Sequence, residues 1–184
     1  MSTTKKITKT TKKRTLLKFS YLPLNILTDW ERASLTSNFF ADFLTTTHEK
    51  LAKDESYKNT ISTMINEIIE YSVKHSTFKN YQNHLSISIE DNTLYIDINC
   101  NILKTHFYLL KALMKDLNKN KNQDFLDNYN FNGEFSNFVF CLHSLINNYN
   151  ASIKIHSKKS FDDPIKSVNL KLKFLLKEEN IYDY

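Results

Sequence analysis

The sequence contains very little glycine and proline, with one Gly and two Pro among its 184 residues. A glycine-rich phosphate loop needs several glycines, because backbone N–H groups approach a phosphate closely only where side chains are missing. The composition therefore argues against functions that depend on such a loop. The excess of Lys, Asn and Ile looks like nucleotide bias in the coding genome, so individual asparagines carry little weight.

Cysteine is equally scarce, since Cys100 and Cys141 are the only two and each lies within an apolar pattern. This usage favours two buried free thiols in a reducing cytosol over a disulfide. There is no C-x-x-C pair, and the six histidines are scattered, so no metal site is predicted. No run approaches the ~20 apolar residues that span a bilayer, and no signal-peptide core lies near the start. We expect a cytoplasmic protein that does not bind membranes.

The apolar content is sufficient for one folded domain, because 41% of the residues are hydrophobic and 13% are aromatic. The charge is unevenly distributed. Residues 1–18 hold seven of the 25 Lys and Arg and no acid, which leaves 18 basic and 20 acidic residues, a formal charge of −2. We predict a disordered basic tail over 1–18, one domain over 19–177 and a polar tail over 178–184. The basic tail could attract nucleic acid, but only weakly and without sequence specificity.

Hydrophobic periodicity predicts an alternation of grouped helices and strands. Strands are expected at 16–23, 85–90, 93–99, 151–157 and 165–176, with the second and third joined as a hairpin through Asp91 and Asn92. Helices are expected at 34–53, 58–76, 103–117 and 134–148. Residues 118–132 read as a polar, mobile loop. This order predicts an α+β two-layer sandwich, with a mixed β-sheet and helices on one face.

Two helices carry specific predictions about their buried faces. In the first, Ser34 or Thr36 is expected to cap the N-terminus. Its inward side chains are predicted to be Leu35, Phe39, Phe40, Phe43 and Leu44. In the last helix, the predicted inward side chains are Phe138, Phe140, Cys141, Leu145 and Ile146.

Three segments resemble a known family. These are MINEIIEYSVKHS (64–76), TDWERASLTSNFFADFL (28–44) and FCLHSLINNYNASIKI (140–155). Together with the element order, they resemble the GHKL superfamily of Bergerat-fold ATPases, which includes histidine kinases, anti-sigma-factor kinases and gyrase-type enzymes. The most similar branch is that of small stand-alone bacterial regulators related to the SiaB-type protein kinases. The resemblance covers residues 20–176 and implies a Bergerat-like sandwich.

The resemblance also implies site residues, and several of them are degraded. The helix of the N-box, the superfamily motif that faces the phosphates, places its general base at Glu67. Its magnesium-binding Asn, four residues later, falls on Tyr71, which cannot supply an amide oxygen. Asn66 and Lys74 flank this site. The adenine loop would lie at 97–101, with Asp97 but no Gly, and the lid at 118–134 contains only Gly133.

Simpler interpretations stand beside the resemblance. Glu67 is also consistent with a solvated carboxylate, and Lys74 with an exposed lysine. Tyr71 is consistent with a packing residue whose hydroxyl lies at the surface. Asp97 is consistent with an outward-facing residue of an alternating strand. We predict a non-catalytic regulator that derives from a GHKL-type ATPase, needs no cofactor and binds another protein, or a second copy of itself. The alternative is a divergent ATP-dependent Ser/Thr protein kinase with ATP and Mg²⁺, in which Asn66 shifts into the metal role. That shift is unfavourable, because adjacent helical residues point about 100° apart.

Overall fold

A computed structural model describes residues 12–48, 51, 55–119, 136–157 and 164–175. Its central layer is a five-stranded sheet in the order β1–β2–β3–β5–β4. The strands are β1 (Arg14–Tyr21), β2 (Asn83–Glu90), β3 (Thr93–Leu103), β4 (Ser152–Ser157) and β5 (Ile165–Leu175). The helices are α1 (Pro23–Leu27), α2 (Glu31–Thr47), α3 (Glu55–His75), α4 (Lys104–Lys119) and α5 (Ser136–Tyr149).

The predicted α+β two-layer sandwich is confirmed, with one correction to the sheet. All four strand pairings in the described part of the chain are antiparallel, whereas a mixed sheet was predicted. The chain leaves the sheet after β3, returns through two helices, and inserts β5 between β3 and the edge strand β4. The direction of β5 depends on pairing between strands that are distant in sequence, which the local hydrophobic pattern does not encode.

The core lies between α3 and the inner face of the sheet, as the apolar periodicity predicted. The apolar residues that recur at helical spacing in the predicted helix 58–76 form one stripe on α3, and each is at most 1% exposed: Ile61, Met64, Ile65, Ile68, Ile69 and Val73. The predicted hairpin also forms, and Asp91 makes its turn with a positive φ of 51°. An Asp tolerates this left-handed backbone better than most residues.

The first long helix differs from its prediction at both its start and its buried face. The helix α2 begins at Glu31, and its N-cap Trp30 provides no side-chain cap, so neither Ser34 nor Thr36 has the predicted role. Phe40 and Leu44 are buried, but Leu35 is 60% and Phe39 59% exposed. The buried face includes three small residues instead, Ala33, Ser37 and Ala41. Small side chains let α2 pack closely on α3, which a search for large apolar residues overlooks.

The last helix, α5, follows its prediction only in part. Phe138, Leu145 and Ile146 of α5 are buried as predicted, whereas Phe140 is 45% exposed and Cys141 is only partly buried.

Strand β1 starts at Arg14, so residues 14–18 belong to the sheet and not to a tail. The predicted tail at 178–184 and most of the predicted loop at 118–132 lie outside the described residues. Among the described helices, none is both long and apolar enough to cross a membrane.

Candidate functional site

The polar flank of α3 is a chain of hydrogen-bonded side chains spaced one helical turn apart. Asn66 Nδ2 donates to Glu70 Oε1 at 2.8 Å, and Lys74 Nζ donates to Glu70 Oε2 at 3.0 Å. Lys74 Nζ also lies 5.6 Å from the centroid of the Trp30 ring, within range of a cation–π contact. Glu70 therefore holds both Asn66 and Lys74, two of the residues predicted to line a nucleotide site.

Glu67 lies beside this chain in a partly buried environment. Burial raises the pKa of the Glu67 carboxyl above its ordinary value of 4.5, the negative charge of Glu70 raises it further, and Lys74 lowers it. The Glu67 charge in turn adds to the effect of burial on Cys141, whose thiol pKa is raised to about 12. Cys141 and the buried Cys100 are both free, as predicted, and such thiols are protonated and unreactive at neutral pH.

A small cleft opens between α3 and the start of α5. The described residues that line it are Glu67, Glu70, Tyr71, Lys74, Ser136, Asn137 and Phe138. They enclose about 140 Å³, whereas small-molecule and cofactor pockets usually measure roughly 300–1,000 Å³. The volume that the described residues enclose is therefore below the usual range for such pockets.

Tyr71 closes the inner side of this cleft. Its ring is 4% exposed and stacks on Phe138, with centroids 4.3 Å apart and planes inclined by 18°. On the other side it contacts the His75 ring at 4.7 Å. The hydroxyl oxygen is buried, so the predicted packing role is correct, but the predicted surface position of the hydroxyl is wrong.

The stack continues across the protein as an aromatic column, which we define as Phe138, Tyr71, His75 and His106. His75 meets His106 edge-on, with ring centroids 5.1 Å apart and planes at 90°. The column joins α5, α3 and α4. No sequence motif indicated it, because its members come from three separate helices and meet only after folding.

The column does not suit a magnesium ion at residue 71. Mg²⁺ takes oxygen ligands in near-octahedral geometry, and an Asn would offer an amide oxygen there. The Tyr71 side chain instead presents a ring that stacks on Phe138 and contacts the tilted ring of His75. Burial raises the pKa of its phenol further above neutrality, which disfavours an anionic oxygen ligand there. Among the described residues, no cluster of three or more His, Cys, Asp or Glu side chains is arranged to hold a metal.

Asp97 lies on the opposite face of the sheet from these residues. The predicted adenine loop at 97–101 is not a loop, because β3 continues to Leu103. Inward positions of β3 such as Ile96 and Ile98 are buried, whereas the Asp97 carboxylate lies 3.6 Å from Lys13 Nζ and 3.8 Å from Lys171 Nζ on the outer face. The structure thus groups Asn66, Glu67, Tyr71 and Lys74 on α3 and separates Asp97 from them. The simpler interpretation of Asp97 is confirmed.

A pH-dependent stability follows from the raised pKa of Glu67. Folding disfavours its ionised form, so the wild-type protein loses stability as the pH rises through the pKa of folded Glu67. We expect Glu67→Gln to be more stable than wild type at pH 7 and equally stable below the ordinary pKa of 4.5. Urea unfolding of both proteins between pH 4 and pH 8 measures this difference.

The neighbouring Glu70→Gln variant is the comparison, because it removes the ion pair with Lys74 together with the charge that raises the pKa of Glu67. At pH 7 the lost ion pair should cost about 0.3–0.5 kcal/mol. The relief of Glu67 offsets part of this loss, so Glu70→Gln should differ little from wild type. A Glu67→Gln variant that is less stable than wild type at pH 7 would show that the Glu67 carboxylate is held by favourable contacts.

The fold is similar to that of a solved bacterial protein. A chain in the crystal structure of the SiaB–SiaC complex from Pseudomonas aeruginosa superimposes with a TM-score of 0.62 at 9% sequence identity. The match covers 88% of this chain and 91% of that chain. No family model and no curated protein matches the sequence. The similarity therefore establishes a shared fold over nearly the whole of both chains.

Proposed function

We propose that this protein is a non-catalytic regulatory domain of bacterial signalling, with a GHKL-like scaffold that binds a partner protein. Tyr71 carries the proposal. Its ring, which stacks on Phe138 and contacts the tilted ring of His75, lies at the position where the resemblance requires a magnesium ligand. The fold match to a chain from a two-protein complex supports the role of a partner protein.

The polar flank of α3 also fits a structural role better than a catalytic one. A general base must reach the proton that it removes, at about 2.6–3.2 Å or through one water. Glu67 faces a cleft of about 140 Å³, which leaves no room for a triphosphate beside it. Asn66, the substitute metal ligand of the alternative reading, already donates to Glu70 at 2.8 Å.

An exposed apolar surface on α2 is a further reason to propose a protein partner. Leu35 and Phe39 lie one turn apart and are 60% and 59% exposed. Adjacent large apolar side chains in water are typical of interaction sites. A partner that covers them removes apolar surface from water at about 25 cal/mol per Å².

The alternative function is an ATP-dependent Ser/Thr protein kinase of the SiaB or anti-sigma type, with Glu67 as base. The resemblance of MINEIIEYSVKHS to an N-box favours it, and Glu67 is retained at the base position. It requires that ATP and Mg²⁺ bind beside the aromatic column.

Thermal unfolding with 5 mM ATP and Mg²⁺ distinguishes the two functions. We expect no change in Tm, because the Tyr71 ring and the small cleft exclude the triphosphate. A ligand at a hundredfold excess over its Kd would add about 2.7 kcal/mol. For a domain of this size, each kcal/mol raises Tm by roughly 2–4 °C.

A rise in Tm of about 5 °C or more that disappears in Glu67→Ala would refute the non-catalytic function and support the kinase. The matched control is Glu31→Ala, which removes an exposed carboxylate at the start of α2. A shift that persists in both variants would also refute the proposal, because a general base can be removed without loss of ATP binding.

A further inference from the structure

The outer face of the sheet, opposite the helices, is rich in lysine. Outward positions alternate with the buried ones along each strand, and the register places them together on one surface. In the described residues, two carboxylates on this face, Glu90 and Asp97, oppose five lysines. The five are Lys13, Lys18, Lys154, Lys171 and Lys173. Lys13 and Lys18 belong to the basic segment 1–18, whereas the other three come from two later strands, and only the sheet brings the two groups together.

Three of the lysines form a strip along β4 and β5 with little compensating negative charge among the described residues. Lys154 lies directly opposite Lys171, and Lys173 follows on the same face, opposite Ser152. Like charges directly opposite each other in a sheet are destabilising. Among the described residues, the carboxylate that approaches the strip is that of Asp97, which is shared between Lys171 at 3.8 Å and Lys13 at 3.6 Å. This arrangement is unfavourable for the protein alone and favourable when a polyanion lies on the face.

The same face offers aromatic rings and amides beside the lysines. The Tyr95 ring lies 4.2 Å from Lys13 Nζ and 5.8 Å from Lys173 Nζ, measured to the ring centroid. Near the far end of β3 is a cleft of about 640 Å³ with Tyr81, 62% exposed, at its margin. Its uncharged polar lining includes Asn80, Gln82, His84, Asn99 and Asn101.

These features suit a nucleic-acid strand with unpaired bases. Phosphates pair with lysines, bases stack on exposed aromatic rings, and carboxamides hydrogen-bond to base edges. A membrane surface fits less well, because the outward aliphatic residues Leu103 and Leu175 lie at strand ends and not among the lysines. We propose that the outer face of the sheet binds single-stranded nucleic acid, with the lysine strip on phosphates and the amide-lined cleft on a base.

Fluorescence anisotropy with a labelled 20-nucleotide single strand, as RNA and as DNA, tests this proposal on the full chain. We expect affinity to fall as salt rises from 50 to 300 mM. Each phosphate contact contributes about −0.7 to the slope of log K against log salt for single strands. The double variant Lys154→Gln/Lys173→Gln should therefore flatten the slope by about 1.4. Tyr81→Ala should weaken binding about tenfold through lost stacking.

The matched control is Lys111→Gln/Lys115→Gln, which removes the same charge from exposed positions of α4 in the helical layer. It should leave the slope unchanged. Both double variants retain the basic residues 1–11, so equal binding by wild type and the sheet variant would assign binding to the N-terminal segment and overturn the proposal. No binding at 50 mM salt, equal affinity for duplex DNA, or preferential binding to phosphatidylserine vesicles would overturn it as well.

Discussion

Replacement of Tyr71 with alanine is expected to lower the free energy of unfolding by about 3–5 kcal/mol, the range for large aromatic side chains removed from a core. Tyr71 is 4% exposed and stacks on Phe138 from another helix, so alanine leaves a cavity and removes one of the contacts between α3 and α5. Urea unfolding followed by circular dichroism measures the loss. Domains usually have a total free energy of unfolding of about 5–15 kcal/mol, so this loss is a large fraction of it.

Three further variants identify the source of that loss. Tyr71→Phe keeps the stacked ring and should retain most of the stability, while Lys74→Ala, at an exposed ion pair on the same helix, should cost at most about 1 kcal/mol. A double-mutant cycle of Tyr71→Ala and Phe138→Ala should give a coupling of about 0.5–1.5 kcal/mol. A loss below about 1 kcal/mol in Tyr71→Ala would contradict the buried stack.

Tyr71→Asn tests whether the ring of Tyr71 by itself keeps ATP from binding, as the proposed function implies. It restores the residue type that the N-box resemblance requires and removes the ring. We expect it to be destabilised and still to show no Tm increase with ATP and Mg²⁺, because Asn66 stays bonded to Glu70 and the adenine segment stays in β3. An increase in Tm with ATP would show that the ring alone closes a site that is otherwise intact.

Alanine substitutions at the adjacent residues Phe39 and Phe40 are expected to have very different effects. Phe40 is 5% exposed and packs against Phe19 of β1, with ring centroids 5.4 Å apart. Its loss should cost about 3–5 kcal/mol. Phe39 is 59% exposed, so its substitution should change stability by about 0.5 kcal/mol or less.

The same pair of variants tests the proposed protein-binding surface. Phe39→Ala should remain folded and lose affinity for the partner protein, whereas a fold-preserving change elsewhere, such as Tyr108→Ala on α4, should keep it. Equal stability losses at 39 and 40 would contradict the orientation of α2. Unchanged partner affinity in a folded Phe39→Ala protein would exclude this surface from the interface.

The comparison of α2 and α3 shows which parts of the fold were predictable. The stripe of α3 consists of large aliphatic residues at helical spacing, so the pattern alone identifies the buried face of the helix. In α2, Phe39 and Phe40 are neighbours, and a helix of 3.6 residues per turn cannot bury both fully against the same layer. The choice depends on which side of α2 approaches α3 closely, and the small residues Ala33, Ser37 and Ala41 decide it.

The candidate site was predictable only in part, for a similar reason. The spacing of Asn66, Glu67, Tyr71 and Lys74 on one helix is a local property and was read correctly. The stack of Tyr71 with Phe138 joins residues that are far apart in sequence. Asp97 was assigned to the same site by resemblance alone, although the period-two alternation of its strand already indicated an outward position.

The sequence by itself determined the α+β class, the apolar stripe of α3 and the hairpin with its turn at Asp91, because period and turn chemistry act over a few residues. The tertiary structure decided what those elements form together. It set the antiparallel insertion of β5, the stacking of Tyr71 on Phe138, and the gathering of lysines on one face of the sheet. These features depend on contacts between distant segments, and only packing in three dimensions selects among the contacts that the local pattern permits.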